Sequence, residues 1–192
     1  MRGFFSRYSY NIVKMFVNQF AISIFGAVLA MATAASGNNV LTLVVSLFAI
    51  LFYLFLLYTL TWEVGAKDKI AVDAGKKQYK PLTGLYMALI ANIPNFVIAI
   101  VYAIAYPAMS NAQWVGNIGA IARVASIIIE GMFLGTTSVI NVGGNALSTH
   151  WWTYFLITVP AIVVSWIAYF LGHKNFGFFA SLYAPKKEKD KK

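Results

Sequence analysis

The side chains best suited to chemistry lie within long apolar segments. Arg123 and Glu130 share one apolar segment, 117–142. They belong to a polar stripe at spacings of 3, 4, 7 and 4 residues, which is one face of an α-helix, and its members are Arg123, Ser126, Glu130, Thr137 and Asn141. A charge exposed to lipid at mid-bilayer costs about 2.5–3.5 kcal/mol. The charged side chains of the stripe must therefore form ion pairs, face water or face other helices.

Arg123 and Glu130 are not placed to pair with each other. Seven residues of α-helix separate them by about 10 Å along the axis. We expect each to find partners on other helices, Glu130 as a ligand for a cation or proton and Arg123 as a partner for an anion or a carboxylate.

A second polar group interrupts the segment 84–107. Pro94 lies between Asn92 and Asn95, and a proline inside a helix removes a donor and usually kinks the helix. The two carboxamides either repair the kinked backbone or offer oxygens to a bound species. Helices broken at mid-depth are a feature of transporter binding sites.

These observations define one candidate ligand site. Its polar lining is predicted to be Gln19, Asn92, Asn95, Arg123, Glu130 and Thr137. The alternative is that the same side chains serve only helix packing and kink repair.

The chain lacks the residue constellations of the common enzyme classes. It contains no cysteine and two histidines, and no nucleophile elbow, phosphate-binding glycine loop or zinc-protease motif occurs. We therefore expect no catalytic residues, no metal site and no cofactor, and conclude that the protein is not an enzyme.

The composition places these segments in a membrane. Of 192 residues, 60% are hydrophobic and 11% are charged, against about 25% charged in globular proteins. The net charge of +9 comes from stretches beside apolar segments, where anionic lipid headgroups attract it. This location argues against a nucleic-acid partner.

The basic residues set the topology. Fourteen of the fifteen Lys and Arg residues lie in three clusters, 2–14, 67–80 and 174–192. Basic flanks mark the cytoplasmic side, so an even number of crossings should separate any two clusters. Five apolar segments do not satisfy this condition, and the one carrying Arg123 and Glu130 is the weakest candidate for crossing.

The sequence therefore predicts an all-α integral membrane protein, a small polytopic bundle. Its four spanning helices are expected at about 10–35, 40–62, 84–107 and 151–172. Segment 117–142 is expected to be re-entrant or to lie at the outer interface; a fifth span is the alternative. Residues 1–184 form one domain and residues 185–192 a disordered basic tail, with both termini cytoplasmic in a bacterial cytoplasmic membrane.

Small residues predict how the helices pack. Gly26 and Ala30 in the first segment, and Ala161, Ser165 and Ala168 in the last, recur on single helical faces, where they allow another backbone to approach closely. The second segment is rich in aromatic and aliphatic residues and is expected at the periphery of the bundle.

The stretch 63–83 mixes charged and apolar residues. It fits a solvated loop, an amphipathic helix on the inner surface, or a docking element for a soluble partner through Lys67, Asp68, Lys69 and Asp73.

The small bundle with basic flanks and small-residue faces resembles the substrate-binding membrane subunits of energy-coupling-factor transporters and other small transporter subunits. The resemblance is one of composition and brings no functional residue with it. It implies a transport component. The alternative is a non-catalytic scaffold or accessory subunit that binds other membrane helices, or its own copies, and a cytoplasmic partner through 63–83.

Overall fold

A computed structural model describes residues 2–109 and 112–176 of the chain. These residues are helical apart from turns and one short antiparallel hairpin, β1 (Asn141–Val142) with β2 (Asn145–Ala146). The helices are α1 (Arg2–Ala34), α2 (Asn39–Asp73), α3 (Thr83–Ala91), α4 (Ile93–Ala105), α5 (Gln113–Glu130), α6 (Leu134–Val139), α7 (Thr153–Leu156) and α8 (Val159–His173). Short 3₁₀ turns occupy Tyr106–Ala108, Gly131–Phe133 and Leu147–Thr149. The predicted tail, 185–192, lies outside the described residues.

Within the described residues, four helical stretches are long and apolar enough to cross a membrane: Gly3–Ala34, Asn39–Asp73, Gln113–Val139 and Thr153–His173. A fifth would be the pair Thr83–Ala91 and Ile93–Ala108, which is bent by 54°. The predicted all-helical class is confirmed, and these lengths fit an integral membrane location. These four stretches differ from the four spans expected from the sequence. Segment 84–107 is divided into two helices, and 113–139 is itself long and apolar enough to cross a membrane.

Helix α2 continues beyond its expected end at residue 62. Its added turns carry two ion pairs at i,i+4 spacing, Lys67 with Glu63 at 2.6 Å and Lys69 with Asp73 at 2.9 Å. Such pairs stabilise an exposed helix by a few tenths of a kcal/mol each. The helix ends before Gly75, whose positive φ of 69° suits glycine best. Most of the stretch 63–83 is therefore the end of α2 rather than a loop.

Helix α2 is not wholly peripheral, contrary to the expectation from the sequence: one face packs on α1 and α8, whereas Val44, Phe48 and Leu51 on the other face are exposed. Ala49, Tyr53 and Leu57 are almost fully buried, and α8 packs along α2. Two glycines permit this close approach, because a Cβ on Gly65 or Gly172 would overlap a backbone oxygen of the facing helix. The aromatic content of α2 did not reveal which of its faces is buried.

The small-residue faces are buried within the chain itself. Gly26 of α1 lies against Met132 in the turn between α5 and α6, and Ala30 is buried. On α8, Ala161, Ser165 and Ala168 are each at most 3% exposed. These faces hold this bundle together.

The described parts of the three basic clusters meet at one end of the bundle. Asp68 near the end of α2 accepts hydrogen bonds from Tyr8 of α1 at 2.6 Å and from Tyr169 of α8 at 2.7 Å. Tyr79 stacks on His173 with ring centroids 3.8 Å apart. We call this end, formed by the start of α1, the end of α2, residues 74–82 and the end of α8, the basic end.

The chain before α5 and the chain after α6 meet at the opposite end. Met109, just beyond α4, lies against Gly119 of α5. Tyr102 of α4 donates a hydrogen bond to the carbonyl of Thr149 at 3.4 Å. A second small apolar cluster lies here, separate from the main core, and consists of Ala99, Tyr102, Ala122 and Tyr154.

Candidate functional site

Glu130 is the last residue of α5, and its carboxylate lies inside the bundle with 5% of the residue exposed. Its Oε1 accepts a hydrogen bond from Asn95 Nδ2 of α4 at 3.0 Å. The Thr158 hydroxyl lies 3.0 Å from the same oxygen and 3.0 Å from the carbonyl of Tyr154, so its proton is shared between the two acceptors. As expected from its spacing, Glu130 takes its partners from other helices.

Three broken helices meet at this carboxylate. Asn92 separates α3 from α4, Gly131–Phe133 separates α5 from α6, and Thr158 lies between α7 and α8. Pro94 and Pro160 each stand in the first turn of the helix that follows a break, where the missing backbone donor costs nothing. Pro94 thus begins a new helix at the place where a kink was expected, and Pro160 marks a second helix start.

The two asparagines form a chain that ends on Glu130. Asn92 Nδ2 donates to the carbonyl of Ala88 at 2.8 Å, and Asn92 Oδ1 accepts from Asn95 Nδ2 at 2.9 Å. Because both neighbours of Asn95 Nδ2 are acceptors, this atom must be the amide nitrogen. The other atom, Asn95 Oδ1, is buried and has no hydrogen-bond partner among the described residues.

The carboxylate is similarly incomplete. Both protein donors reach Oε1, and Oε2 of Glu130 accepts no hydrogen bond within the described part of the chain. Of the two oxygens, Asn95 Oδ1 is the buried one, and a buried oxygen without a donor is costly and rare in folded proteins. Two acceptor oxygens without donors, one on Glu130 and one on the amide bonded to it, fit a site for a cation or a proton.

Side chains of α1 and α2 support the broken backbone after Glu130. Ser23 donates to the carbonyl of Ile127 at 3.2 Å and accepts from the amide of Gly131. Ser46 donates to the carbonyl of Met132 at 2.7 Å and accepts from the amide of Thr136 at 3.1 Å. Where a 3₁₀ turn interrupts the α-helical hydrogen bonds, the freed backbone groups at membrane depth require such partners.

Gln19 connects this support to the core. Its Nε2 donates to the carbonyl of Ile129 at 3.1 Å, and its Oε1 accepts from the Tyr53 hydroxyl at 3.3 Å. Gln19 therefore contacts the backbone beside Glu130 rather than the carboxylate. Its side chain fixes the position of the end of α5.

A cavity of about 140 Å³ adjoins the carboxylate. Glu130, Arg123 and Thr137 line it, together with Ser148 and Tyr154 from the chain that follows the hairpin. Arg123 is exposed and forms no salt bridge among the described residues. The Thr137 hydroxyl donates to the carbonyl of Phe133 at 2.9 Å, inside its own helix.

The structure thus brings together most of the predicted ligand site. Asn92, Asn95 and Glu130 form one hydrogen-bonded group. Gln19 donates to the backbone beside Glu130, and Arg123 and Thr137 line the adjoining cavity. The sequence analysis missed Thr158, Ser23 and Ser46. The one local signal was a hydroxyl two residues before Pro160, since a residue there lies at a helix break.

The four predicted docking residues divide into two groups. Lys67, Lys69 and Asp73 take part in the ion pairs along the outer turns of α2. Asp68 is only 7% exposed and forms an ion pair with Lys77, in addition to its bonds from the two tyrosines. Asp68 is thus part of the interior of the basic end.

Among the described residues, no group of three or more His, Asp or Glu side chains could hold a metal ion. Comparison with models of protein families, with curated proteins and with solved structures gave no significant match to this chain.

Proposed function

We propose that this protein is a membrane transport component in which Glu130, held by Asn95 and Thr158 where three broken helices meet, binds a small cation or a proton. The observation that carries the proposal is the buried Asn95 Oδ1, which has no donor among the described residues, beside a carboxylate whose two described donors both reach Oε1.

The charge balance supports a positive ligand. A buried carboxylate costs several kcal/mol unless it is paired, and the described partners of Glu130 are a neutral amide and a neutral hydroxyl. Ionisable residues inside membrane bundles mark ion pathways and proton relays. A bound cation or proton would balance the charge of Glu130.

The proposed topology has four crossings, made by α1, α2, the pair α3 and α4, and the pair α7 and α8. Segment 113–150 enters from the outer side, reaches the level of Asn95 and Gln19 at Glu130, and returns to the outer side. This arrangement is supported by the contacts of Met109 with Gly119 and of Tyr102 with Thr149 at the end opposite the basic one. By the positive-inside rule, the basic end and both termini are cytoplasmic.

The adjoining cavity supplies a route from the outer side in this proposal. Arg123 at its rim, unpaired among the described residues, would attract an anion that accompanies the cation. The Thr137 hydroxyl would accept a hydrogen bond from water along the wall while it donates its own proton to the carbonyl of Phe133.

The helix faces that a scaffold would use to bind other membrane helices are not free. The small-residue faces of α1 and α8 that would bind other membrane helices are covered within the chain. A scaffold role would have to use the exposed apolar faces instead, and lipid covers such faces in any membrane protein.

The test is ion flux in proteoliposomes, with protons and Na⁺ as probes. Wild-type protein should dissipate an imposed proton or Na⁺ gradient faster than protein-free vesicles do. Glu130→Gln, which keeps the size and both hydrogen bonds but removes the charge, should fall to the protein-free rate.

The matched control is Glu63→Gln, the same substitution at an exposed residue paired with Lys67. It should keep the wild-type rate. The proposal fails if Glu130→Gln carries wild-type flux, or if wild-type protein dissipates neither gradient.

A further inference from the structure

A second cavity lies at the basic end. The residues that line it are far in sequence from Glu130. It is open, has a volume of about 410 Å³, and lies between the start of α1 and the segment 74–82. We call it the basic cavity. The side chains that matter to its chemistry are Arg7, Tyr8, Lys77, Gln78 and Lys80.

Its lining is positive and includes no carboxylate. Lys77 is paired with Asp68 beneath the wall, whereas Arg7 and Lys80 are exposed and form no salt bridge within the described residues. Burial lowers the pKa of Lys77, and the charges of Arg7 and Lys80 lower it further while Asp68 opposes them. Two cations without an ion-pair partner among the described residues, Arg7 and Lys80, thus face the same space as Lys77, which is paired with Asp68.

The floor of the basic cavity is held in place by a buried network. Asp68 accepts from Tyr8 and Tyr169 and pairs with Lys77, whose ammonium also donates to the Tyr8 hydroxyl. The stacking of Tyr79 on His173 fixes the segment that carries Lys77 and Lys80. A cavity organised before binding loses less free energy on ordering its ligand.

We propose that the basic cavity binds the phosphate group of an anionic ligand, through Arg7 and Lys80 at its rim and Lys77 at its floor. Arginine recognises phosphate with two parallel hydrogen bonds, and lysine binds it as a point charge. The volume falls in the range of ligand pockets. This inference does not depend on the role of Glu130.

The phosphate could belong to a phospholipid headgroup or to a soluble molecule. The cavity lies where the first helix begins, and Phe5 and Val13 expose 46% and 59% of their surface along that helix. An acyl chain could lie on this apolar face while its headgroup occupies the cavity. A soluble phosphorylated molecule would use the same cations without the apolar face.

The experiment uses full-length protein in a neutral detergent. Fluorescent phosphatidylglycerol, at low mole fraction in the micelles, is titrated by anisotropy, and inorganic phosphate is titrated separately by calorimetry. Arg7→Gln and Lys80→Gln should each weaken binding at least about tenfold, the effect of losing a hydrogen bond between charged groups. Both residues are exposed, so the thermal stability of each variant should remain that of the wild type.

The matched control is Lys76→Gln, which removes the same charge from the same segment at a residue outside the lining. It should bind within about threefold of wild type, since a solvated charge outside the lining is screened by water and salt. Glu130→Gln should also bind normally, which separates this site from the proposed transport site.

Binding of phosphatidylglycerol with this variant pattern identifies a headgroup site. Binding of inorganic phosphate alone, with the same pattern, identifies a site for a soluble phosphorylated ligand. The inference is overturned if neither probe binds, or if Lys76→Gln weakens binding as much as Lys80→Gln does.

Discussion

Replacing Asn95 by alanine tests the hydrogen-bonded group around Glu130 most directly. The variant loses two hydrogen bonds, from Asn95 Nδ2 to Glu130 Oε1 at 3.0 Å and to Asn92 Oδ1 at 2.9 Å. A bond to a charged group contributes about 1.5–3 kcal/mol, and a neutral bond between membrane helices contributes about 0.6 kcal/mol. We expect Asn95→Ala to lower the free energy of unfolding by about 2–3.5 kcal/mol.

The assay is equilibrium unfolding in mixed micelles, followed by tryptophan fluorescence. The control is Asn117→Ala on the exposed surface of α5, which should change the free energy of unfolding by less than about 0.5 kcal/mol. Equal effects of the two substitutions would refute the placement of Asn95 against the carboxylate.

A double-mutant cycle of Asn95→Ala with Glu130→Gln then reports the charge of Glu130. Neutral pairs in membrane proteins couple by at most about 1.7 kcal/mol, so a larger coupling requires an ionised carboxylate. We expect the coupling to be larger at alkaline than at acidic pH, because protonation removes the charge from the acceptor. A coupling that does not change with pH would contradict a titrating partner for Asn95.

Two further substitutions test the supports of the site and of the basic end. Ser46→Ala leaves the carbonyl of Met132 and the amide of Thr136 without their partner, and should lower the free energy of unfolding by about 1–3 kcal/mol. The control is Ser9→Ala at an exposed position, which should leave the free energy of unfolding unchanged. An equal loss in both variants would contradict the role assigned to Ser46. Tyr169→Phe deletes the hydroxyl that donates to Asp68 at 2.7 Å and should lower the melting temperature. Tyr10→Phe, at a residue that is 74% exposed, should leave it unchanged. An unchanged melting temperature for Tyr169→Phe would argue against the buried network.

The polar residues of the site could be predicted because lipid makes them conspicuous. Asn92, Asn95 and Glu130 are among the few strongly polar residues of their apolar segments, and burying a charge or an amide in such surroundings demands a partner. Their common location followed from the same argument, since their natural partners are each other.

The supports could not be predicted in this way. Ser23 and Ser46 are small hydroxyl residues, and such residues also occur in helices that use their own carbonyls as acceptors, as Thr137 does. Only the packing of α1 and α2 against the turn after Glu130 distinguishes the two cases.

Asp68 shows a different reason for failure. Its neighbours in sequence, Lys67 and Lys69, are solvated at the outer turns of α2, so local composition indicated an exposed carboxylate. Its partners Tyr8 and Tyr169 lie 60 and 101 residues away. No local pattern carries that information.

The positions of the three breaks have a mechanical consequence. Bending in helices concentrates where the backbone ladder is interrupted, and here the interruptions at Asn92, Gly131 and Thr158 lie around one carboxylate, while α1 and α2 run unbroken past it. Bending at that level would move together the parts of the interrupted segments that lie beyond Glu130 from the basic end. Helices α1 and α2 would keep their positions. Such bending would change the contacts around Glu130 and leave the network at Asp68 intact.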